Sequence, residues 1–343
     1  FIEYEEPVTF SKQMEDACRR FEEIISKDEY SNIFGVKNTI YDMVVILTDI
    51  GESLKAAQYT KLAADYSYKE AEQEKQQPKL AGNILDVNLD FVKLLKTSKP
   101  YGAHDASNTK RFTYASANDP KVKKIKDFFN LEHIAGNGDE ISKMKNIMRW
   151  LHDNIRHDGS GGFPPNTDRN AIDLYKACKA RNCGLNSRGL SIVLAELYLA
   201  MGWPARFITC QSMYSDDLEC HIVVVVWSRT LGKWIMMDPT YDAYICDENG
   251  LLLHPGEIRR RMIEGKKLVL NDDANWNHTL KFTEKNYLYE YMAKNLFLLS
   301  AYIDSYPNVE SDGNSTYYTL QPEGFNTQIG TATCDEEWFW QKP

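Results

Sequence analysis

The feature that most constrains the fold is a long apolar stripe in the middle of the chain. Apolar side chains recur there at the three- and four-residue spacing of one helix face, at Leu190, Val193, Leu194, Leu197 and Met201. Gly202 and then Pro204 follow the stripe, and this pair is a usual signal for the end of a helix. The pattern predicts a buried helix that begins near residues 181–183.

Segments with strand character follow this helix. Residues 204–210, 222–227 and 233–238 are predicted as strands, and the second is the clearest because nearly all its residues are β-branched. Other segments have helical periodicity, at 10–25, 41–75, 84–95, 141–155, 171–179, 257–264 and 284–302. We therefore predict an α+β protein with a helical N-terminal region at 1–100 and a second domain at 101–343.

The charge balance narrows the class of partner. The chain of 343 residues carries 49 acidic and 40 basic side chains, which gives a formal net charge of −9. This balance argues against nucleic acid or anionic lipid as the main partner, because both require clustered Lys and Arg. No apolar run approaches the roughly 18 residues that are needed to cross a bilayer, so we predict no transmembrane segment.

One of the seven cysteines stands where a thiol could be reactive. At the predicted start of the buried helix, Cys183 would lie beside unpaired N–H groups and the positive end of the helix dipole, and both favour the thiolate. The same N–H groups could stabilise an oxyanion during acyl transfer. We expect the backbone N–H of Cys183 to be one oxyanion donor and the side chain of Asn182 to be a weaker second. A cysteine in a helix is otherwise most often a small buried apolar residue.

A histidine and an aspartate mark the ends of two predicted strands. His221 opens the second strand and Asp238 closes the third. If residues 228–231 form the loop between them, Trp227 faces Gly232. In this register His221 lies opposite Asp238, about 5 Å apart at Cβ. An aspartate there could orient the imidazole and stabilise its charged form, although each residue alone also fits a structural role.

A metal site is an alternative use of these side chains. Four residues have ligand-type side chains, at Cys210, Cys220, His221 and Cys246. Their spacing matches no zinc pattern, and binding a metal would remove His221 as a base. The sequence also lacks the motifs of serine hydrolases, nucleotide hydrolases and HExxH metalloenzymes. We therefore expect no metal and no other cofactor.

Three motifs within about residues 141–241 occur in a recognisable order: MRWLHDNIRHD, then NCGLNSRGLSIVLAELYLAMGWPARF, then CHIVVVVW with KWIMMDPTY. In order and spacing they resemble the transglutaminase-like superfamily of papain-like fold. The resemblance implies a helix that bears the nucleophile and packs on an antiparallel sheet. It also implies Cys183 as the nucleophile, His221 as the general base and acid, and Asp238 as the orienting residue. Gly184 and Ile222 depart from the common pattern, which puts the substrate preference in question.

The resemblance further implies cysteine-dependent acyl transfer on amide or peptide substrates through a thioester. Water as acceptor makes a peptidase or amidase, and an amine makes a protein-glutamine transglutaminase. We favour hydrolysis, with cell-wall peptides among the candidate substrates, because the sequence shows no feature for amine recognition and no carboxylate clusters like the calcium sites of animal cross-linking enzymes. A non-catalytic binding or scaffold module of the same fold is the alternative.

The expected partner is a peptide or protein substrate, and the sequence does not indicate an oligomeric state. Many family members act outside the cytoplasm, and this sequence opens at Phe1 rather than at a methionine. We therefore expect an extracytoplasmic protein, secreted or lipid-anchored.

Overall fold

The fold is described from a computed structural model, which covers the backbone of residues 84–106, 108–159, 162–214 and 220–343 and the side chains from residue 91 onward within these ranges. Residues from Ile84 to Pro343 form one compact unit. The helices predicted at 10–25 and 41–75 lie outside the described residues. The domain boundary at residue 100 stays a prediction.

Helices dominate the first half of the described chain. In chain order the elements are α1 (Ile84–Thr97), β1 (Thr113–Tyr114), α2 (Pro120–Phe129), α3 (Leu131–Ala135), α4 (Glu140–Asn154), α5 (Ala171–Arg181) and α6 (Ser187–Ala200). Helix α6 carries the apolar stripe, and it begins at Ser187 rather than near 181–183.

Short strands and helices alternate in the second half. They are β2 (Ala205–Gln211), β3 (His221–Ser228), β4 (Lys233–Met237), β5 (Ile245–Cys246), α7 (Pro255–Glu264), β6 (Val269–Leu270), β7 (Asn275–Trp276), β8 (Leu280–Lys281), a π-helix (Lys285–Met292), α8 (Ala293–Asn295), β9 (Leu298–Tyr302), β10 (Asp304–Ser305), α9 (Val309–Asp312), β11 (Tyr317–Leu320), β12 (Thr331–Thr333) and α10 (Glu336–Phe339).

A six-stranded sheet forms the centre of the unit from Ile84 to Pro343, with strand order β12-β11-β9-β2-β3-β4. The strands from β11 to β4 are antiparallel to their neighbours, and β12 joins β11 in parallel at the edge. The described residues therefore form the predicted α+β fold, with a mixed rather than a wholly antiparallel sheet.

The two faces of the sheet bury separate cores. On one face, Ile222, Val224 and Val226 of β3 pack with the apolar stripe of α6. On the other face, Val223 and Val225 pack with residues of the second half of the chain. The run of apolar residues in β3 is explained by this burial on both sides.

The helix predicted over residues 284–302 is wrong in its second half. The helical turns end at Asn295, and Leu298–Tyr302 is strand β9. This strand lies inside the sheet, where it pairs with β2 on one side and β11 on the other. Pairing on both sides outweighs the local helical pattern, because tertiary context routinely overrides propensity.

Candidate active site

The predicted contact between the histidine and the aspartate is present. His221 opens β3, Asp238 follows the last residue of β4, and both side chains are fully buried. The Nε2 atom of His221 lies 2.6 Å from Oδ2 of Asp238. This is the distance of a short, charge-assisted hydrogen bond.

The strand register that led to this prediction is wrong by two residues. Trp227 faces Trp234 rather than Gly232, and Ser228 faces Lys233. The loop is displaced because Glu140 fixes its start: its carboxylate accepts hydrogen bonds from the Ser228 hydroxyl and two loop N–H groups. A shift of two residues leaves every side chain on its own face of the sheet, so His221 still meets Asp238 on the diagonal.

Asp238 accepts hydrogen bonds from three groups. Besides the imidazole, the hydroxyl of Tyr287 donates to Oδ2 at 2.6 Å. The backbone N–H of Thr240 donates to Oδ1 at 2.9 Å. Burial, and next the charge of Asp238, raise the pKa of Tyr287 well above its usual value, so the phenol keeps its proton. With three donors around it, Asp238 acts as an acceptor through both of its oxygens.

This arrangement settles which nitrogen of His221 carries the proton. Because Asp238 only accepts, Nε2 is the protonated nitrogen and Nδ1 presents its lone pair. The Nδ1 atom is buried and has no hydrogen-bond partner among the described residues. The rings of Tyr241 and Tyr291 pack against the imidazole, with centroids 5.5 and 5.0 Å away. A buried, unpaired acceptor is costly in free energy, and such groups call for a functional explanation.

Tyr287 and His157 belong to the site although the sequence analysis assigned neither to it. The Nε1 of Trp276 donates to Nδ1 of His157 at 2.9 Å. Burial, and next the charge of His221, lower the pKa of His157 to about 4, so this second imidazole stays neutral at pH 7. No local pattern marks either residue, because both reach the site through long-range packing.

Cys183 does not lie at the start of the buried helix. Helix α5 ends at Arg181, and Asn182 forms its left-handed cap with φ of 50°. The N–H of Cys183 donates to the carbonyl oxygen of Cys178 at 3.2 Å. Cys183 and Asn182 thus belong to the end of α5 rather than to the start of the buried helix, and their assignment as oxyanion donors stays a prediction. The thiol of Cys183 lies 4.0 Å from the carbonyl oxygen of Ala177, and the structure does not bring it within hydrogen-bonding reach of His221 Nδ1.

The start of α6 is fixed by bonds on both sides of Asn186. The Asn186 side chain caps the helix by accepting from the N–H of Gly189 at 2.9 Å. Before it, the N–H of Leu185 donates to Arg156 O at 3.1 Å, and Leu185 O accepts from Asp158 N at 2.8 Å. These bonds hold the chain extended, so the helix cannot continue back to residue 183.

No disulfide joins the cysteines of the described part of the chain, which are Cys178, Cys183, Cys210, Cys220, Cys246 and Cys334. Burial, and next the neighbouring Cys183, raise the pKa of Cys178 to about 12, so it remains a neutral thiol. Cys18 lies outside the described residues.

Within the described ranges, no group of three or more His, Cys, Asp or Glu side chains could hold a metal ion. Over the same residues, no helix is long and apolar enough to cross a membrane.

The part of the chain that matches a known protein family includes His221 and Asp238 of this site. The model of the transglutaminase-like superfamily matches residues 127–239, from the end of α2 to just beyond Asp238. A solved structure, "a Putative Cysteine Protease from Cytophaga hutchinsonii", is similar at 17% identity over 55% of this chain, with a TM-score of 0.29. The chain spans 65% of that protein. At this level the likeness carries no argument about function. No curated protein matches the chain.

Proposed function

We propose that this chain catalyses acyl transfer on amide or peptide substrates, with water as the acceptor, because residues 127–239 match the model of the transglutaminase-like superfamily. The observation that carries the proposal is the buried His221 whose Nε2 is held by Asp238 and whose Nδ1 is unpaired. The superfamily match supports cysteine-type catalysis in general, and it does not separate hydrolysis from transfer.

The roles of the pair follow from its hydrogen bonds. The lone pair of His221 Nδ1 takes the proton of the attacking side chain, and the new imidazolium is stabilised by Asp238 through Nε2–H. The imidazolium then gives its proton to the departing amine as the C–N bond breaks. Water, deprotonated by the same nitrogen, attacks the acyl-enzyme and releases the acid.

Cys183 is the nucleophile that the sequence predicts, and as a thiol it would form a thioester. Its Sγ contacts Ala177 O rather than the imidazole, so it would have to move before attacking. The proposed reaction rests on the His221–Asp238 pair and holds for any nucleophile that reaches Nδ1.

A peptide-amide panel tests the proposal. The protein is incubated with the panel with and without a primary amine, and the products are identified by mass spectrometry. We expect free acid in both cases, abolished by His221→Ala and retained by His133→Ala, a variant of an exposed histidine. An amine conjugate in excess of free acid would establish transfer as the main reaction. No product from any substrate would contradict catalysis.

A non-catalytic binding module is a second candidate, favoured by one observation. His221 and Asp238 have no exposed surface, so a substrate must displace covering groups before it can reach Nδ1. If the pair is only structural, His221→Ala lowers the free energy of unfolding while peptide binding, measured by calorimetry, is unchanged.

A further inference from the structure

We propose that Ser187, at the first turn of α6, is the nucleophile that His221 activates. The inference deepens the proposed acyl transfer and rests on it. The sequence placed the nucleophile at the start of the apolar helix, and the structure puts Ser187 there instead of Cys183.

The topology brings this end of α6 to the same edge as His221. Helix α6 leads through a short turn into β2, so its first residue lies towards the end of β2 at Gln211. In the sheet, Cys210 near the end of β2 faces His221 at the start of β3. The beginning of α6 and the start of β3, which carries His221, therefore lie at one edge of the sheet.

Side-chain contacts fix the distance between helix and strand at this edge. The hydroxyl of Ser191 donates to the carbonyl oxygen of Ile222, the residue after His221, at 2.9 Å. Arg188 Nη2 lies 3.3 Å from the hydroxyl of Thr209, which faces Ile222 across the strands. Ser187 precedes Ser191 by four residues and shares its helix face, one turn or about 6 Å closer to the edge.

A second contact runs through the chain before the helix. His157 forms a parallel β-bridge with Leu185, two residues before Ser187. The same His157 lies near enough to His221 for the two imidazoles to repel each other when charged. Contacts within α6 and contacts of the chain before it therefore both hold the start of the helix near His221.

The hydroxyl itself is available for reaction. Ser187 is 9% exposed, and its hydroxyl makes no hydrogen bond to another described residue. Its counterpart is His221 Nδ1, an unpartnered acceptor with no exposed surface, so Ser187 Oγ is not hydrogen-bonded to Nδ1 in this structure and approaches it for the reaction. A hydroxyl and an unpaired imidazole nitrogen at one edge form two of the three parts of a Ser–His–Asp triad, and Asp238 is the third.

The Asn186 cap of α6 also leaves two backbone N–H groups that are candidates for oxyanion donors. The first intrahelical bond of α6 is from Leu190 N to Asn186 O, and the Asn186 side chain takes the N–H of Gly189. The N–H groups of Ser187 and Arg188 precede these bonds and point out of the helix end. They replace Cys183 N–H as the donors to a developing oxyanion.

The proposed reaction needs only the protein, the amide substrate and water. The Oγ–H proton of Ser187 passes to His221 Nδ1 as Oγ bonds to the carbonyl carbon. The tetrahedral oxyanion collapses, the C–N bond breaks, and the amine leaves with the proton from Nδ1. Water then attacks the ester, its proton passes through His221 to Ser187 Oγ, and the acid is released.

Four variants of the full chain test the assignment: Ser187→Ala, Ser187→Cys in a Cys183→Ala background, Cys183→Ala, and Ser142→Ala as a serine control outside the site. Hydrolysis of the peptide amides and labelling by a fluorophosphonate are measured. We expect Ser187→Ala to lose both, with turnover falling by about 10⁴-fold or more. Ser142→Ala keeps both within a few-fold, and Cys183→Ala distinguishes the two candidate nucleophiles because it removes the thiol and leaves Ser187 in place. Loss of turnover in Cys183→Ala with retention in Ser187→Ala would overturn the assignment and leave the proposed function standing.

The thiol variant decides the assignment even if the wild-type chain hydrolyses nothing. We expect the Ser187→Cys thiol to react with iodoacetamide at pH 6 at least tenfold faster than free cysteine, and to lose that advantage in His221→Ala. A thiol at 187 that reacts like free cysteine and ignores His221 would show that Ser187 is not beside Nδ1. Inactivity of the wild type together with a reactive, His221-dependent thiol would contradict the proposed hydrolysis only.

Discussion

At the scale of single residues, the site is organised around one carboxylate. Asp238 has no exposed surface, and its two oxygens accept from His221, Tyr287 and Thr240. These donors offset the cost of burying its charge. They also leave Nδ1 of His221 as the atom free to take a proton.

Tyr287→Phe removes one of these donors without changing the shape of the side chain. We expect the turnover number to fall about tenfold, because an under-bonded Asp238 holds the imidazolium less well, and the free energy of unfolding to fall by about 1–2 kcal/mol. Steady-state kinetics and urea denaturation measure the two effects. Tyr289→Phe, on the same π-helix but partly exposed, is the control and should change neither. Unchanged kinetics in Tyr287→Phe would mean that the phenol is only a packing group.

Glu196 of α6 gives the protein a pH-dependent stability. Its carboxylate oxygens accept the N–H groups of Ala171 at 2.7 Å and Asn308 at 3.0 Å. Burial raises the pKa of this carboxyl from 4.5 to about 8. The folded protein therefore keeps a proton that the unfolded chain releases, and the resulting stability is complete below pH 4.5 and is lost as the pH rises to 8.

Glu196→Gln removes this titration. Relative to the variant, the wild type should lose up to about 4 kcal/mol of unfolding free energy between these two pH values. Urea unfolding of both proteins across the range measures the difference, with the exposed Glu337→Gln as control. A constant difference at every pH would show that Glu196 is ionised in the folded protein.

At the scale of elements, the start of α6 decides which side chain faces the imidazole. The apolar stripe predicted the helix and its end, because periodicity and the Gly–Pro stop are local signals. Its start was predicted four to six residues early. The bonds of Leu185 to the 156–158 segment are long-range in sequence, and no local pattern shows them.

Asn186→Ala tests the role of this cap. We expect a loss of about 1 kcal/mol in unfolding free energy and a larger loss of turnover, about tenfold or more, because the first turn of α6 frays and Ser187 moves. Asn170 caps α5 in the same way, accepting from Asp173 N at 3.0 Å. Asn170→Ala should therefore cost similar stability and leave turnover nearly unchanged. Equal kinetic effects in the two variants would indicate general destabilisation.

The same contrast between local and long-range information holds for the strands. The β-branched run predicted β3, and alternation placed His221 and Asp238 on one face. The loop register depended on Glu140, distant in sequence, and was wrong by two residues. Strand β9 was missed because its pairing with β2 and β11 is visible only in three dimensions.

At the scale of the whole molecule, the C-terminal segment closes the core on the sheet face that carries Val223 and Val225, which we call the second core. Phe339 is fully buried against Phe112, with ring centroids 5.7 Å apart. Its carbonyl oxygen accepts from Arg206, which is buried in the central strand β2. Phe112 and Phe339, which are far apart in sequence, thereby pack together in the core on one face of the sheet.

Phe339→Ala should lower the free energy of unfolding by about 3–5 kcal/mol, because it leaves a cavity among aromatic rings. Phe128→Ala is the matched control: Phe128 is 41% exposed, so its loss should cost less than about 1 kcal/mol. Urea denaturation measures both. Similar values for the two variants would show that the C-terminal segment adds little to the second core.

The most direct test of the central claim is to locate the acyl group or its analogue on the chain. The protein is labelled with a fluorophosphonate and digested with trypsin, which leaves residues 182–188, with Cys183 and Ser187, on one peptide. Fragmentation of that peptide places the adduct. The account predicts the adduct on Ser187 in the wild type and its absence in His221→Ala. An adduct on another residue, or labelling of Ser187 that does not depend on His221, would contradict it.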